Sequence, residues 1–197
     1  MCKITESATF QNLREQKKEE CRRSILHAAR DLFDEKGFHN TTMTEIAKAA
    51  HISPASVFNY FPSKTDLLTG VHYMKAQDFA AIMAEQNTSG ESSVQKLLQL
   101  FDSHLIDIFQ YPRLSFEIYE FLAFDLIPST AQKELFDDVE MLIRSAILDG
   151  ELKQDTDIDL ITNVFFGLGF TGYAKGNSID SCSAAFTRLL KFYYTEK

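Results

Sequence analysis

Asn59 carries a carboxamide, one acceptor beside two donors, which matches the N7 and N6 of adenine in a bidentate pair. It stands in "SPASVFNYFPSK", residues 53–64, three residues after Ser56 and four after Ala55. A helix there gathers these residues on one outward face together with Pro54. The Ser56 hydroxyl can donate or accept, and the carbons of Pro54 and Ala55 can meet a thymine methyl. Tyr60 and Lys64 suit phosphate oxygens, which position a protein on a duplex without reading its sequence. Thr42 and Ser63 each precede a helical pattern and would aim backbone N–H groups at further phosphates. The base-edge candidates are therefore Pro54, Ala55, Ser56 and Asn59, and the phosphate candidates include Thr42, Tyr60 and Lys64.

Other chemistries lack their residues. The sequence has no glycine-rich phosphate loop, no HExxH, no nucleophile elbow and no acidic cluster at metal spacing. The five histidines are scattered at 27, 39, 51, 72 and 104. Cys2, Cys21 and Cys182 lie far apart and fit neither a zinc site nor a disulfide framework. No catalytic residue, metal or cofactor is expected, and an enzyme with an undistinguished pocket is the remote alternative.

The elements that hold the first face are short. From about Lys17 a helix reads through Ile25, Ala28, Ala29, Leu32 and Phe33 to a C-cap at Gly37. Residues 1–15 carry no core pattern and are expected to fray. Thr41 or Thr42 caps the next helix, and Glu45 stands at capping-box spacing from Thr42. Met43, Ile46, Ala47 and Ala50 form its inner face. His51 and Ile52 make a tight connection. Ser53 caps a third helix, with Pro54 in its first turn and Val57 and Phe58 pointing inward. Pro62 ends it after Phe61, and Ser63 with Asp66 opens a fourth. Two helices this short cannot stand alone. Locked across a tight turn and covered by a third, they make a helix-turn-helix with Ile46, Ala47, Ile52, Val57, Phe61, Leu32 and Phe33 as shared core. Periodicity by itself fits an ordinary helical hairpin as well.

The residues themselves go further. In "ILHAARDLFDEKGFHNTTMTEIAKAAHISPASVFNYFPSKTDLL", Ile25–Leu68, the chain resembles the TetR family of transcriptional regulators. The Leu-Phe run, the Gly-Phe turn, the Thr-Thr opening, the Ile-Ala pair and the Tyr-Phe-x-Ser-Lys ending stand in order. The stretch is roughly a quarter of the chain. Three positions depart: many members have Gly at the places of His51 and Ala55, and Phe58 replaces a frequent Tyr. The resemblance implies an all-α protein with an amino-terminal three-helix DNA-binding domain, residues 1–66, whose motif covers about 42–61. A larger helical ligand-binding and dimerisation domain, 67–197, would follow. It implies a regulator, commonly a repressor, bound as a homodimer to a pseudo-palindromic double-stranded operator. A small apolar or amphipathic effector would release it. A DNA-binding activator or architectural protein without an effector is the alternative.

Beyond residue 66 the helices lengthen: one to about Ala84, a break at Asn87–Ser93, a stripe from Val94 to Ile108, boundaries at Pro112 and Pro128, a helix ending near Gly150, and helices over 158–174 and 180–194. Seven aromatics fall between Phe101 and Phe124 and can pack solid or line a pocket. The pocket candidates are Phe101, His104, Leu105, Phe116, Glu117, Tyr119, Glu120 and Phe124, with Asp125 nearby; Glu117 and Glu120 would suit a cationic ligand. "IDLITNVFFGLGFTGYAKG", Ile158–Gly176, is apolar almost all round, and Gly167, Gly169 and Gly172 suggest close backbone approach. Ile161, Phe165, Phe166, Phe170, Cys182, Phe186, Leu189 and Tyr193 are the expected dimer contacts, an intrachain core being the alternative.

The net charge is −8, but residues 1–70 carry ten Lys/Arg and nine Asp/Glu, against ten and nineteen in 71–197. The first third is electrostatically distinct, but a solvated helix face explains its basic residues as well as a duplex partner does, so charge alone decides nothing. No apolar signal segment or run of eighteen apolar residues occurs, so a cytoplasmic location without membrane contact is expected.

Overall fold

The computed structural model of the protein describes residues 4–86 and 90–195, with side chains over 13–84 and 90–195. Every regular element there is an α-helix; one isolated bridge joins Leu152 to Tyr194. Cys2 and Asn87–Ser89, the start of the expected break, lie outside the described residues. The all-α class and the division into a helix-turn-helix domain and a larger helical domain are both found. Two compact units are present, Met1–Val71 and His72–Lys197.

The first unit holds α1 (Ile4–Lys36), α2 (Met43–Ala49), α3 (Pro54–Tyr60) and the beginning of α4 (Lys64–Gln86). Residues 1–3 lie outside the described residues, and residues 4–15 do not fray as expected, α1 being helical from Ile4. Their polarity removes a core pattern without removing helix propensity. The turn after α1 is stitched by Thr41, which is buried, its hydroxyl 2.9 Å from the Gly37 carbonyl and 3.1 Å from that of Leu32. Thr42 is the true cap. Its side chain accepts from the Glu45 N–H, while its own N–H donates to the Glu45 carboxylate at 2.9 Å. Lys36 pairs with Glu45 at 2.7 Å and ties α2 to α1. Ser53 accepts from the Ser56 N–H at 3.1 Å, and Ser63 and Asp66 cap α4 reciprocally.

Ile25, Leu26, Ala29, Phe33, Ile46, Ala47, Val57, Phe61, Leu67 and Leu68 form the buried core of this unit. Leu32 and Ile52 are only half-buried. Phe58 is a correction: it is 49 % exposed instead of inward, because Val57 alone occupies the inner side of so short a helix. Gly70 fits between Leu26 and Phe61, where a Cβ would come within 2.8 Å and 2.9 Å of their side chains.

The connection at His51 is left-handed, with φ 57°. His51 N–H donates to the Lys48 carbonyl and Ile52 N–H to the Ala47 carbonyl, a Schellman ending for α2. Left-handed backbone disfavours a residue with a Cβ by about 1–2 kcal/mol, of which a glycine's extra chain entropy would offset about 0.5–1. His51→Gly should therefore raise stability by about 0.5–1 kcal/mol. A lower urea midpoint in that variant would show that the turn carries no such strain.

The second unit holds the rest of α4 and α5 (Ser93–Gln110), α6 (Pro112–Ala123), α7 (Thr130–Leu148), α8 (Ile158–Ala174) and α9 (Ile179–Lys191). Ser92 and Gln95 form a capping box on α5. Glu151, from beyond α7, accepts from the Ser93 and Val94 N–H groups at 2.9 and 3.2 Å, so the buried end of α5 has carboxylate partners. The stripe of α5 packs against α7, α8 and α9. At its centre the rings of Phe101 and Phe186 stack with centroids 4.1 Å apart, and Phe165 meets both edge-on. Gly169 admits Ile108, whose Cδ1 would lie 2.6 Å from an added Cβ, and Gly172 admits the Cys182 sulfur in the same way.

Candidate nucleic-acid face and cavity

α3 presents Pro54, Ala55 and Asn59 to solvent, with Ser56 partly exposed and its hydroxyl 2.8 Å from that of Ser53. The four base-edge candidates thus share one side of one helix, and Phe58 stands exposed beside Asn59. Thr42 is exposed at the start of α2. Two phosphate candidates have other partners. The Tyr60 hydroxyl is hydrogen-bonded to the Cys21 thiol of α1, which, with burial, raises its pKa. It is therefore turned towards α1, and Tyr60 is half-buried. Lys64 Nζ donates to the Thr41 carbonyl at 2.9 Å and the His39 carbonyl at 3.2 Å, over the Phe38 ring. Its ammonium fastens the turn before α2, a role hidden in sequence because the partners are backbone atoms more than twenty residues away. On the same turn, the hydrogen bond from Lys36, then those from Thr42, hold the Glu45 carboxyl down at about 2.

The second unit encloses a cavity of about 720 Å³, within the range of small-molecule sites. Of the pocket candidates, His104, Phe116 and Tyr119 line it. Phe101 and Leu105 do not: both are fully buried in the core behind its wall. Glu117, Glu120 and Phe124 lie off the lining too, Phe124 being 70 % exposed. The outward side of α6 carries the carboxylates while its inner side closes the cavity. Asp125 is exposed in a left-handed turn after α6.

The wall's principal polar groups come from residues that the aromatic cluster did not signal: His72 and Lys75 on α4, Asp107 on α5 and Ser115 on α6. Lys75 Nζ lies 2.8 Å from Asp107 Oδ2 and 3.0 Å from the Ser115 hydroxyl. His72 and Lys75 are three residues apart, one helical face, which is the sequence signal available for them. Burial pushes His72 down to about 4, helped by Lys75. Burial likewise pushes His104 down to about 4, against opposing effects of Asp107 and a hydrogen bond to the Phe166 backbone. Nε2 of each is buried without a partner. His104 stacks on Phe165 and meets Phe79 and Phe166 edge-on.

The eight expected dimer contacts are placed differently. Ile161, Phe165, Cys182 and Phe186 are almost completely buried inside the chain's own core. Phe166 and Phe170 line the cavity, Phe166 stacked on Phe136 and Phe170 against Phe116 and Tyr119. Leu189 and Tyr193 pack half-buried against the core. The phenylalanine side of α8 faces inward; Asn163, Gly167 and Thr171, though exposed, also line the cavity, which leaves Leu160 and Val164 off both its wall and the fully buried core. An added Cβ at Gly167 would meet nothing within 4 Å. Among the described residues no group of three or more His, Cys, Asp or Glu could hold a metal ion, and no helix is long and apolar enough to cross a membrane.

Residues 25–71 match the family of bacterial regulatory proteins, tetR family. The HTH-type transcriptional regulator UidR of Escherichia coli is 42 % identical over 50 residues, 25 % of this chain and 26 % of UidR. The aligned stretch thus spans about a quarter of that relative. The fatty acid metabolism regulator protein of Bacillus subtilis is 21 % identical over 154 residues, 73 % of this chain and 76 % of that protein. Among solved structures, the fatty acid degradation regulator FadR from Bacillus halodurans superposes with a TM-score of 0.70 at 20 % identity, covering 86 % of this chain and 93 % of that one. FadR from Bacillus subtilis in complex with stearoyl-CoA gives 0.69 at 19 % identity, over 85 % and 96 %. These two share the fold through both units. Residues 25–71 thus match the tetR family of bacterial regulatory proteins, and beyond them the likeness is one of fold.

Proposed function

We propose that the protein is a ligand-responsive transcriptional regulator, a repressor that binds a pseudo-palindromic operator as a homodimer. The observation that carries this is the outward side of α3, where Pro54, Ala55, Ser56 and Asn59 stand together on a helix locked by caps at both ends of the motif. A helix so presented enters a major groove, and two-fold symmetry in the protein selects two related half-sites. It works in the cytoplasm, where its duplex is.

The cavity would hold the effector, a small apolar or amphipathic molecule. Stearoyl-CoA bound to the Bacillus subtilis FadR, and a solved gamma-butyrolactone receptor of like fold, support an amphipathic ligand for this site. α4 is capped by Ser63 in the first unit and carries His72 and Lys75 of the cavity wall in the second. A ligand that favours the non-binding arrangement of α4 would release DNA. The dimer surface would lie on α8. Leu160, 42 % exposed in the first turn of α8 and off the cavity wall, is the apolar residue that supports this placement. No catalytic role is assigned to the cavity, whose lysine is engaged with Asp107.

Selection of duplexes from a random pool by the purified protein tests the reading. Enrichment of two inverted half-sites about one helical turn apart is expected. Recovery of unenriched sequence would remove the operator and leave non-specific binding.

A further inference from the structure

The cavity wall joins a polar cluster to apolar and aromatic side chains. Lys75, Asp107 and Ser115 meet there from three helices, and Phe79, Ile82, Leu135, Phe136 and Phe166 belong to its apolar lining. Charge on this wall is already balanced or acidic. Among the described residues Lys75 is its only lysine and no arginine lines it, while Asp78 adds a second carboxylate to that of Asp107. The two histidines are neutral at pH 7, since burial holds both near 4.

An anionic head entering here must draw Lys75 from Asp107 and strand a half-buried carboxylate beside it. A cationic head must draw Asp107 away and strand Lys75, whose side chain is only 15 % exposed. Either exchange leaves an uncompensated charge in a site partly removed from water. A hydroxyl or carbonyl head can instead bond the Ser115 hydroxyl or the third N–H of Lys75 and leave the pair intact. Resting on the effector reading of the cavity, we propose that it selects uncharged amphiphiles, an apolar body with a hydroxyl or carbonyl head, and that the Lys75–Asp107 pair rejects carboxylates and quaternary ammonium ions.

The test uses the full chain and three probes of equal length, 1-dodecanol, dodecanoate and dodecyltrimethylammonium, below their aggregation limits. Each competes with the neutral dye N-phenyl-1-naphthylamine at pH 7.5. The alcohol should displace the dye at a concentration at least tenfold below either charged probe. Dodecanoate or the ammonium matching the alcohol would overturn the proposal while leaving the cavity as the effector site. Displacement by none of the three would overturn both. Asp107→Asn, isosteric at a half-buried position, frees Lys75. Dodecanoate should then gain at least tenfold while the alcohol changes less than threefold. A dodecanoate affinity unmoved in that variant shows that the ion pair does not set the preference, and overturns it.

Discussion

Acidifying the protein from pH 7 to pH 4.5 is expected to strip roughly 5 kcal/mol from the stability of the second unit. His72 and His104 are the cause. Each is held near 4 by burial, against about 6.5 in an unfolded chain. As pH drops below 6.5 the unfolded chain takes up the two protons and the folded chain refuses them. The stability is therefore complete above 6.5 and erodes down to about 4, where the folded state accepts protons too. Asp107 faces His104 and Lys75 faces both rings, so their charges set the lower end of the window. Urea titrations followed by circular dichroism at pH 7, 5.5 and 4.5 measure the loss. His104→Phe, placed among Phe79, Phe165 and Phe166, should remove about half of the slope. A midpoint unchanged between pH 7 and 4.5 would contradict the buried neutral state of both rings. Glu45 acts in a different window. Its carboxyl, at about 2, contributes stability above its unfolded value that is lost only as pH falls towards 2.

Leu160→Asp is expected to give a monomer that has lost about 10²–10⁴-fold in operator affinity, the gain that joining two reading heads confers. Leu160 is 42 % exposed and off the cavity wall, so the change disturbs neither the chain's own core nor the cavity. Light scattering reads the mass, and titration of a selected duplex reads the affinity. An unchanged mass would move the interface away from Leu160.

What the sequence made legible follows the range of the interactions. Caps at Thr42, Ser53 and Ser63 are settled within three residues, and the structure has all of them. The pattern around α3 likewise placed Asn59, Ala55 and Pro54 outward. Phe58 was misplaced because apolar character alone does not choose between two neighbouring positions on a seven-residue helix. Lys64 and Tyr60 were assigned to phosphates because their partners, the Thr41 carbonyl and the Cys21 thiol, are distant in sequence. The cavity shows the same limit. Its aromatic wall was legible at Phe116 and Tyr119, while Lys75, Asp107 and Ser115 come together only when three helices pack. On α8 the apolar character runs almost all round, so the sequence could not say which side meets the chain's own core. The phenylalanines do so: Phe165 meets Phe101 and Phe186 edge-on, and Phe166 stacks on Phe136.

The central claim is that the outward side of α3 reads base edges. Binding curves of the wild type and Asn59→Ala, on a selected duplex and its scrambled counterpart at several salt concentrations, test it most directly. Loss of the carboxamide should cost about 1–3 kcal/mol on the selected duplex and much less on the scrambled one, with an unchanged salt slope. An equal loss on both duplexes would mean that Asn59 touches the backbone, and that this side of α3 does not read sequence.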